Sequence, residues 1–344
     1  MRVLFYLYVS FTFMACHKTS SQPSPNPTPT PTPPSNTSFA KGADISWVTE
    51  MESNGIKFYN KSGVAEDCFQ LMKDIGMNAI RLRVWVNPTN GWCNTIDVVN
   101  KAVRAKNAGL DVLIDFHYSD TWADPSHQTK PAAWASENIS QLQTSVHDHT
   151  VNVLNALKAS GVTPKWVQVG NETNDGMLWE DGRASTSMSN FASLINAGYN
   201  AVKSVDTSIK VIVHISNGYD NNLFRWMFDG LKSNNANWDI IGMSLYPTAS
   251  NWQTLNSQCL SNMNDMVSRY NKDVMIVEVG MSWTDSTACN SFLTDIIAKT
   301  KSVTNGRGLG VFYWEPESYN NWQGYTLGAF DNSGKPTVAL DAFN

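Results

Sequence analysis

Residues 39–344 of this 344-residue chain are predicted to form a single (β/α)8 barrel, an α/β architecture. Three observations carry that expectation. Eight short apolar runs recur at residues 42–45, 79–86, 111–116, 166–169, 210–215, 239–245, 274–277 and 309–314. Amphipathic stretches such as GVAEDCFQLMKDIG, IDVVNKAVRAKNAG and FASLINAGYNAVKSV lie between them, with apolar residues at helical spacing and glycine near several ends. No GxGxxG follows the first run, which disfavours the alternative of a doubly wound open sheet.

The first run is 42–45. The second, AIRLRVWV, places Arg81 and Arg83 two apart, on one face of a strand. The third ends at His117, the fourth in Asn171 and Glu172. The fifth contains His214, the sixth ends at Tyr246, the seventh at Glu278, and the eighth at Trp314 and Glu315. Barrel enzymes use the C-terminal ends of their strands, so these polar ends converge on one mouth. Taken singly, a Glu after a strand is an ordinary solvated residue, the arginines could close the core as ion pairs, and the histidines could be structural.

Ahead of the barrel lie two segments of different character. MRVLFYLYVSFTFMAC has a positive start at Arg2 and an apolar run from Val3 to Met14, too short to span a bilayer and shaped like an export signal. It predicts a signal over residues 1–15 with lipidation at Cys16, although Phe13 stands where such signals usually carry Leu; an ordinary secretory signal is the other reading. SQPSPNPTPTPTPPSNTS offers nothing to bury, so residues 16–38 are expected to be a lipidated cysteine plus an extended stalk. The membrane is then touched only through the lipid. An exported cell-envelope lipoprotein on the outer-membrane surface is expected, with periplasmic or secreted placement as alternatives.

A net charge of -5 without a basic cluster excludes a nucleic-acid surface. Beyond Cys16, the chain has Cys68, Cys93, Cys259 and Cys289, which an oxidising compartment could pair in three ways. The sequence-local expectation is Cys68 with Cys93 and Cys259 with Cys289. No Cys/His cluster suggests a metal; His147 and His149 are two apart on a helical stretch and point away from each other.

Glu172 and Glu278 end apolar strands, where a charge is costly unless paired or used. Two carboxyls across a mouth suit glycoside hydrolysis: roughly 5 Å apart for retention, roughly 6.5 to 9.5 Å for inversion. Arg81 or Arg83 could keep Glu278 ionised, the Tyr246 hydroxyl could orient it, and Asn171 suits a sugar hydroxyl. Thirteen tryptophans are unusual, and nine (Trp47, Trp85, Trp92, Trp122, Trp134, Trp179, Trp283, Trp314 and Trp322) fall on strand ends or following loops. Indole faces stack on sugar rings, and Trp314 is the expected platform.

GADISWVTEMESNG, RLRVWVNP, DFHYSDTWADPSHQ, VGNETNDGMLW, SLYP, IVEVG and GVFYWEPE resemble, in order, motifs of the endo-β-1,4-galactanases of glycoside hydrolase family 53, over essentially Phe39 to Leu340. The resemblance implies a (β/α)8 fold and retaining hydrolysis of β-1,4-galactan side chains of pectin. It implies Glu172 as acid/base and Glu278 as nucleophile, and it sets Arg81, His117, Asn171, His214, Tyr246 and Trp314 around the sugar. With the rim residues Trp85, Asp120 and Trp122 these make the expected substrate-binding set. Bacterial relatives often carry calcium after the seventh strand; here that loop reads MSWTDSTACNS with Asp285 its only acid, so no metal or cofactor is expected. A monomer acting on β-1,4-galactan is the expectation. Another β-linked glucan or mannan, or a non-catalytic glycan-binding lipoprotein, are the alternatives.

Overall fold

The computed structural model describes residues 4–5, 7–10 and 38–344. Cys16 and the stalk through residue 37 lie outside the described residues. Among the described residues, no helix is long and apolar enough to cross a membrane.

Eight strands, β1 (Ala40–Asp44), β2 (Ala79–Val84), β3 (Asp111–Phe116), β4 (Trp166–Val169), β5 (Lys210–Ile215), β6 (Ile240–Leu245), β7 (Asp273–Val279) and β8 (Gly308–Trp314), close into a barrel of wholly parallel neighbours, with β8 pairing β1. Parallel strands covered by helices are buried on both faces, which is why they read as near-continuous Val/Ile/Leu runs. The helices are α1 (Val48–Ser53), α2 (Cys68–Asp74), α3 (Thr95–Asn107), α4 (Ile139–Ala159), α5 (Met188–Val205), α6 (Asn221–Ser233), α7 (Trp252–Tyr270) and α8 (Ser286–Lys301). Short polar side chains start them: Asp67 caps α2, Asn94 caps α3, and Asn138 with Gln141 forms a capping box on α4. Two two-residue strands, Phe58–Tyr59 and Ala65–Glu66, pair antiparallel between α1 and α2, a feature the sequence pattern is too short to signal.

Inside the barrel an apolar layer takes one residue or two from each strand: Ala40, Ala79, Leu113, Trp166, Ile212, Ile240, Met275 with Val277, and Phe312. Gly42 is small because the Phe312 ring crosses it; a Cβ there would lie 2.3 Å from two ring carbons. Two residues further along several strands the same inward face turns polar: Arg81 on β2, Asp115 on β3, Gln168 on β4, His214 on β5, with Asp44 ending β1. Strand β7 breaks this period. Met243 pairs with Ile276, but the next residue of β6, Ser244, pairs with Glu278, so β7 holds one extra residue. The bulge resets the phase, letting Val277 join the apolar layer while Glu278 joins the polar one.

The expected disulfides do not form: Cys68, Cys93, Cys259 and Cys289 are free and buried. Each thiol is committed to its own part of the packing. Cys93 Sγ lies 3.7 Å from Ser46 O and from Lys101 Nζ, while Cys289 Sγ lies 3.8 Å from the Tyr313 hydroxyl. Cys68 opens α2 and Cys259 sits within α7, both with no exposure. Nearness in sequence does not supply the short Cα separation that a bridge needs. Burial pushes the Cys259 and Cys289 thiols up to about 12, so they are inert core residues.

Candidate active site

The polar layer is organised by Arg81, which is 1% exposed. Its Nη1 donates to Asp44 Oδ2 at 2.8 Å and lies 3.2 Å from Glu278 Oε2; its Nη2 meets Asp115 Oδ2 and Asn171 Oδ1, each at 2.8 Å. One guanidinium thus ties together four strands. Arg83 serves elsewhere: it pairs with Glu315 at 2.5 Å, and its guanidinium carbon lies 4.4 Å from the Trp122 ring centroid and 5.2 Å from those of Trp47 and Trp85. Of the two arginines read from the sequence, only Arg81 reaches Glu278.

Glu278 has one oxygen toward Arg81 and the other accepting from the Tyr246 hydroxyl at 2.6 Å. Burial and the charge of Glu278 keep the Tyr246 phenol neutral. Glu172 leaves β4 on a left-handed turn, with φ 80° at Gly170 and φ 43° at Glu172 itself. A left-handed Glu costs on the order of 1 kcal/mol and needs outside support. His214 supplies it: the Glu172 N–H donates to His214 Nδ1 at 3.3 Å and the Thr173 N–H to the His214 carbonyl at 2.9 Å.

The imidazole does more. His214 Nε2–H donates to Ser244 Oγ at 2.6 Å, and that hydroxyl donates onward to Glu172 Oε1 at 2.7 Å. Burial, Arg81 and His117 hold the His214 pKa well below its usual value, so the ring is neutral and carries its hydrogen on Nε2. His117 is held through both ring nitrogens, with Nε2 on Asp115 at 3.0 Å and Nδ1 accepting the Trp85 indole N–H at 3.3 Å and the Ala123 N–H at 3.2 Å.

Burial raises both catalytic-candidate carboxyls. Glu278 is pushed up to about 8, first by burial and then by the charge of Glu172, against Arg81 and Tyr246. Glu172 is raised by burial, against the Ser244 hydrogen bond and Arg81. Such a pair holds one proton between them across neutral pH. The cation and the phenol both touch Glu278, so the charge rests there and the proton on Glu172.

Around the Arg83 guanidinium, three of whose neighbouring rings line it, lies a cleft of about 460 Å³ bounded by Trp47, Trp85, Asp120, Trp122, Trp314 and Tyr325, among others. Two of its ring pairs pack edge to face, Trp314 with Tyr325 at 4.6 Å and Trp122 with Trp85 at 5.2 Å, and Trp47 tilts against Trp314 at 5.2 Å. Asp120 lines the cleft while bracing it, since its two oxygens accept the N–H groups of Asn87 and Ala132 at 2.9 and 2.8 Å. Asn171 is nearly buried, with Oδ1 on Arg81 and Nδ2 donating to the Ala123 carbonyl at 2.8 Å, which leaves one N–H for a ligand. Not every rim tryptophan joins: Trp134 packs into the core near His149, and Trp179 lies under Arg183. Sequence reasoning missed Asp115, Gln168 and Ser244 in this layer. Their signal was present, as polar residues at the inward phase, two before His117 and Tyr246 or midway along β4.

The Glycosyl hydrolase family 53 profile matches residues 40–343. The chain belongs to that family. An arabinogalactan endo-β-1,4-galactanase of Thermothelomyces thermophilus is 34% identical over 331 residues, 88% of this chain and 98% of the relative. One from Cellvibrio japonicus is 36% identical, covering 82% of this chain and 81% of the relative. Among solved structures, a fungal β-1,4-galactanase matches with a TM-score of 0.83 at 31% identity, covering 89% of this chain and 99% of that one. The GH53 catalytic domain of Ignisphaera aggregans gives 0.81 at 29%, covering 91% and 98%. Among the described residues, no three His, Cys, Asp or Glu side chains gather where they could hold a metal ion.

Proposed function

We propose that this family 53 chain is a retaining endo-hydrolase of β-1,4-galactan, the linkage for which its galactanase relatives are named. The observation that carries the chemistry is the unlike pair of carboxyls, with Glu278 against a cation and a phenol, and Glu172 against a hydroxyl. Glu278 attacks the anomeric carbon as the bond to the leaving oxygen breaks, and Glu172 gives that oxygen its proton. The glycosyl group is then an ester of Glu278. Glu172, now ionised, takes a proton from water, whose oxygen attacks the same carbon and releases Glu278. Two inversions restore the β configuration. Trp314 and the aromatic cleft beside it would stack on the polymer, while Arg81, Asn171, His117, His214 and Tyr246 hold the reacting groups in place.

Reducing-end release from purified β-galactan, β-glucan and β-mannan tests the reading: galactan is cut, the others are not. Cleavage confined to glucan or mannan would refute the substrate; no cleavage of any would favour a binding protein. The N-terminal sequence further supports export with a lipid on Cys16, a stalk and display on the outer surface, and we propose that the chain acts as a monomer. Mass spectrometry of the N-terminal peptide from membranes checks the lipid.

A further inference from the structure

Of the thirteen tryptophans, Trp226 alone is exposed, at 44%. It stands on the outer face of α6, away from the strand ends. Scattered exposed apolar residues are ordinary and call for no explanation. Trp226, however, borders a groove of about 580 Å³ whose other walls are Ala184, Ser185, Met188, Asp229, Gly230, Ser233 and Asn234. Along α6, Trp226, Gly230 and Ser233 fall at i, i+4 and i+7, so they share one face. At 1.5 Å per residue the indole and Ser233 are about 10 Å apart along the axis, a length that accommodates more than one sugar ring.

The trough between them is set by Gly230. A glycine inside a helix costs roughly 0.5–1 kcal/mol relative to alanine. Here it leaves room for Met188, because a Cβ would meet Met188 Cε at 2.5 Å and its Cγ and Sδ at 2.9 Å. Asp229 is held in place by Arg269, at 2.6 Å, and by the Tyr270 hydroxyl, at 2.9 Å. The far wall is the end of the loop that starts at Glu172. Asp175 accepts the Ser185 N–H at 2.7 Å and its hydroxyl at 2.9 Å, and the Asp175 carbonyl accepts the Ala184 N–H at 3.0 Å. One short, internally bonded loop therefore carries the proposed acid at one end and this groove wall at the other.

We infer that the groove is a second, non-catalytic glycan site, which holds a β-1,4-galactan strand against the Trp226 indole on the outside of the barrel. The inference rests on the hydrolase reading for the identity of the glycan. A flat indole flanked by hydroxyls, an amide and a fixed carboxylate matches a neutral sugar chain, with an apolar ring face and a hydroxylated edge. A stable protein partner would need roughly 800 Å² on each side, more than this single groove offers.

The test uses affinity electrophoresis in gels containing galactan, comparing Glu172→Gln with Glu172→Gln/Trp226→Ala so that the matrix is not cut. Loss of the indole is expected to weaken retardation about fivefold to tenfold, the scale of one aromatic contact. Trp226→Ala alone should keep kcat/KM on a short galacto-oligosaccharide and lose rate on high-molecular-mass galactan. Retardation unchanged by Trp226→Ala, or seen only with glucan or mannan, overturns the site. A wild-type dimer that light scattering finds monomeric after Trp226→Ala would assign the indole to a subunit contact and also overturn it. Failure of the hydrolase reading shows separately, as no reducing-end release from galactan by the wild-type chain.

Discussion

Ser244→Ala cuts a two-bond chain and so makes a sharp prediction. The hydroxyl donates to Glu172 Oε1 at 2.7 Å and accepts from His214 Nε2 at 2.6 Å. A hydrogen bond to a charged group contributes about 1.5–3 kcal/mol, and it favours the ionised carboxylate. At 1.36 kcal/mol per unit, its loss raises the proton affinity of Glu172 by about one unit, taking the low end because this carboxyl is half-buried. Activity needs the proton that the pair holds, and the pair gives it up near the value of about 8 to which Glu278 is pushed. The alkaline limb of kcat/KM should therefore fall through about pH 8 in the wild type and about one unit higher in Ser244→Ala. The variant also leaves the buried His214 Nε2–H without a partner, costing about 1–3 kcal/mol of stability. The assay is a pH profile of reducing-end release together with a thermal melt. A lower Tm with an unmoved alkaline limb would show that Ser244 braces the site without tuning Glu172.

Glu172→Gln should lose turnover of galactan but keep substrates with a good leaving group, since their departure needs no proton; equal loss on both would count against the acid role. Trp314→Ala should weaken productive binding by about 1–3 kcal/mol through loss of apolar area, read as a higher KM; unchanged kinetics would assign Trp314 to packing alone. Glu278→Gln should gain stability over the wild type as pH rises from the ordinary carboxylate range through about 8. In that window the folded chain binds the proton that the unfolded chain has lost, so wild-type stability falls with pH. Parallel Tm-against-pH curves for the two proteins would contradict the raised value.

The eight strands were legible because burial on both faces writes them as apolar runs; seven of the eight expected runs begin within one residue of the observed strands, and the remaining ambiguity lies at their ends. The first strand begins two residues earlier than its apolar pattern, at Ala40, because Lys41 interrupts the apolar run while Ala40 and Lys41 both still pair with β8. Convergence of Arg81, Asn171, Glu172, Tyr246 and Glu278 was legible too, since strand order fixes which ends share the mouth. The bulge was not. Strict alternation puts Val277 and Glu278 on opposite faces, and only the register against β6 shows both turned inward. The cysteines were misread because export and sequence spacing speak to compartment and loop length, while pairing depends on where helices α2, α7 and α8 and the loop before α3 set the four thiols in the core. Asn171 and His214 were read as contacts of the sugar; the packing shows how much of their hydrogen bonding is spent on Arg81, Ala123, Glu172 and Ser244.

The central claim is that Glu278 forms a bond to the sugar while Glu172 manages the proton. A 2-deoxy-2-fluoro-β-galactosyl donor with a dinitrophenolate leaving group tests it most directly, because the fluorine slows breakdown of the ester after the phenolate has departed. Mass spectrometry of the digested protein should find one fluorogalactosyl group on the tryptic peptide spanning residues 273–299, with fragmentation placing it on Glu278. A label on Glu172, or turnover of the donor with no labelled peptide and the α anomer as first product, would contradict the account.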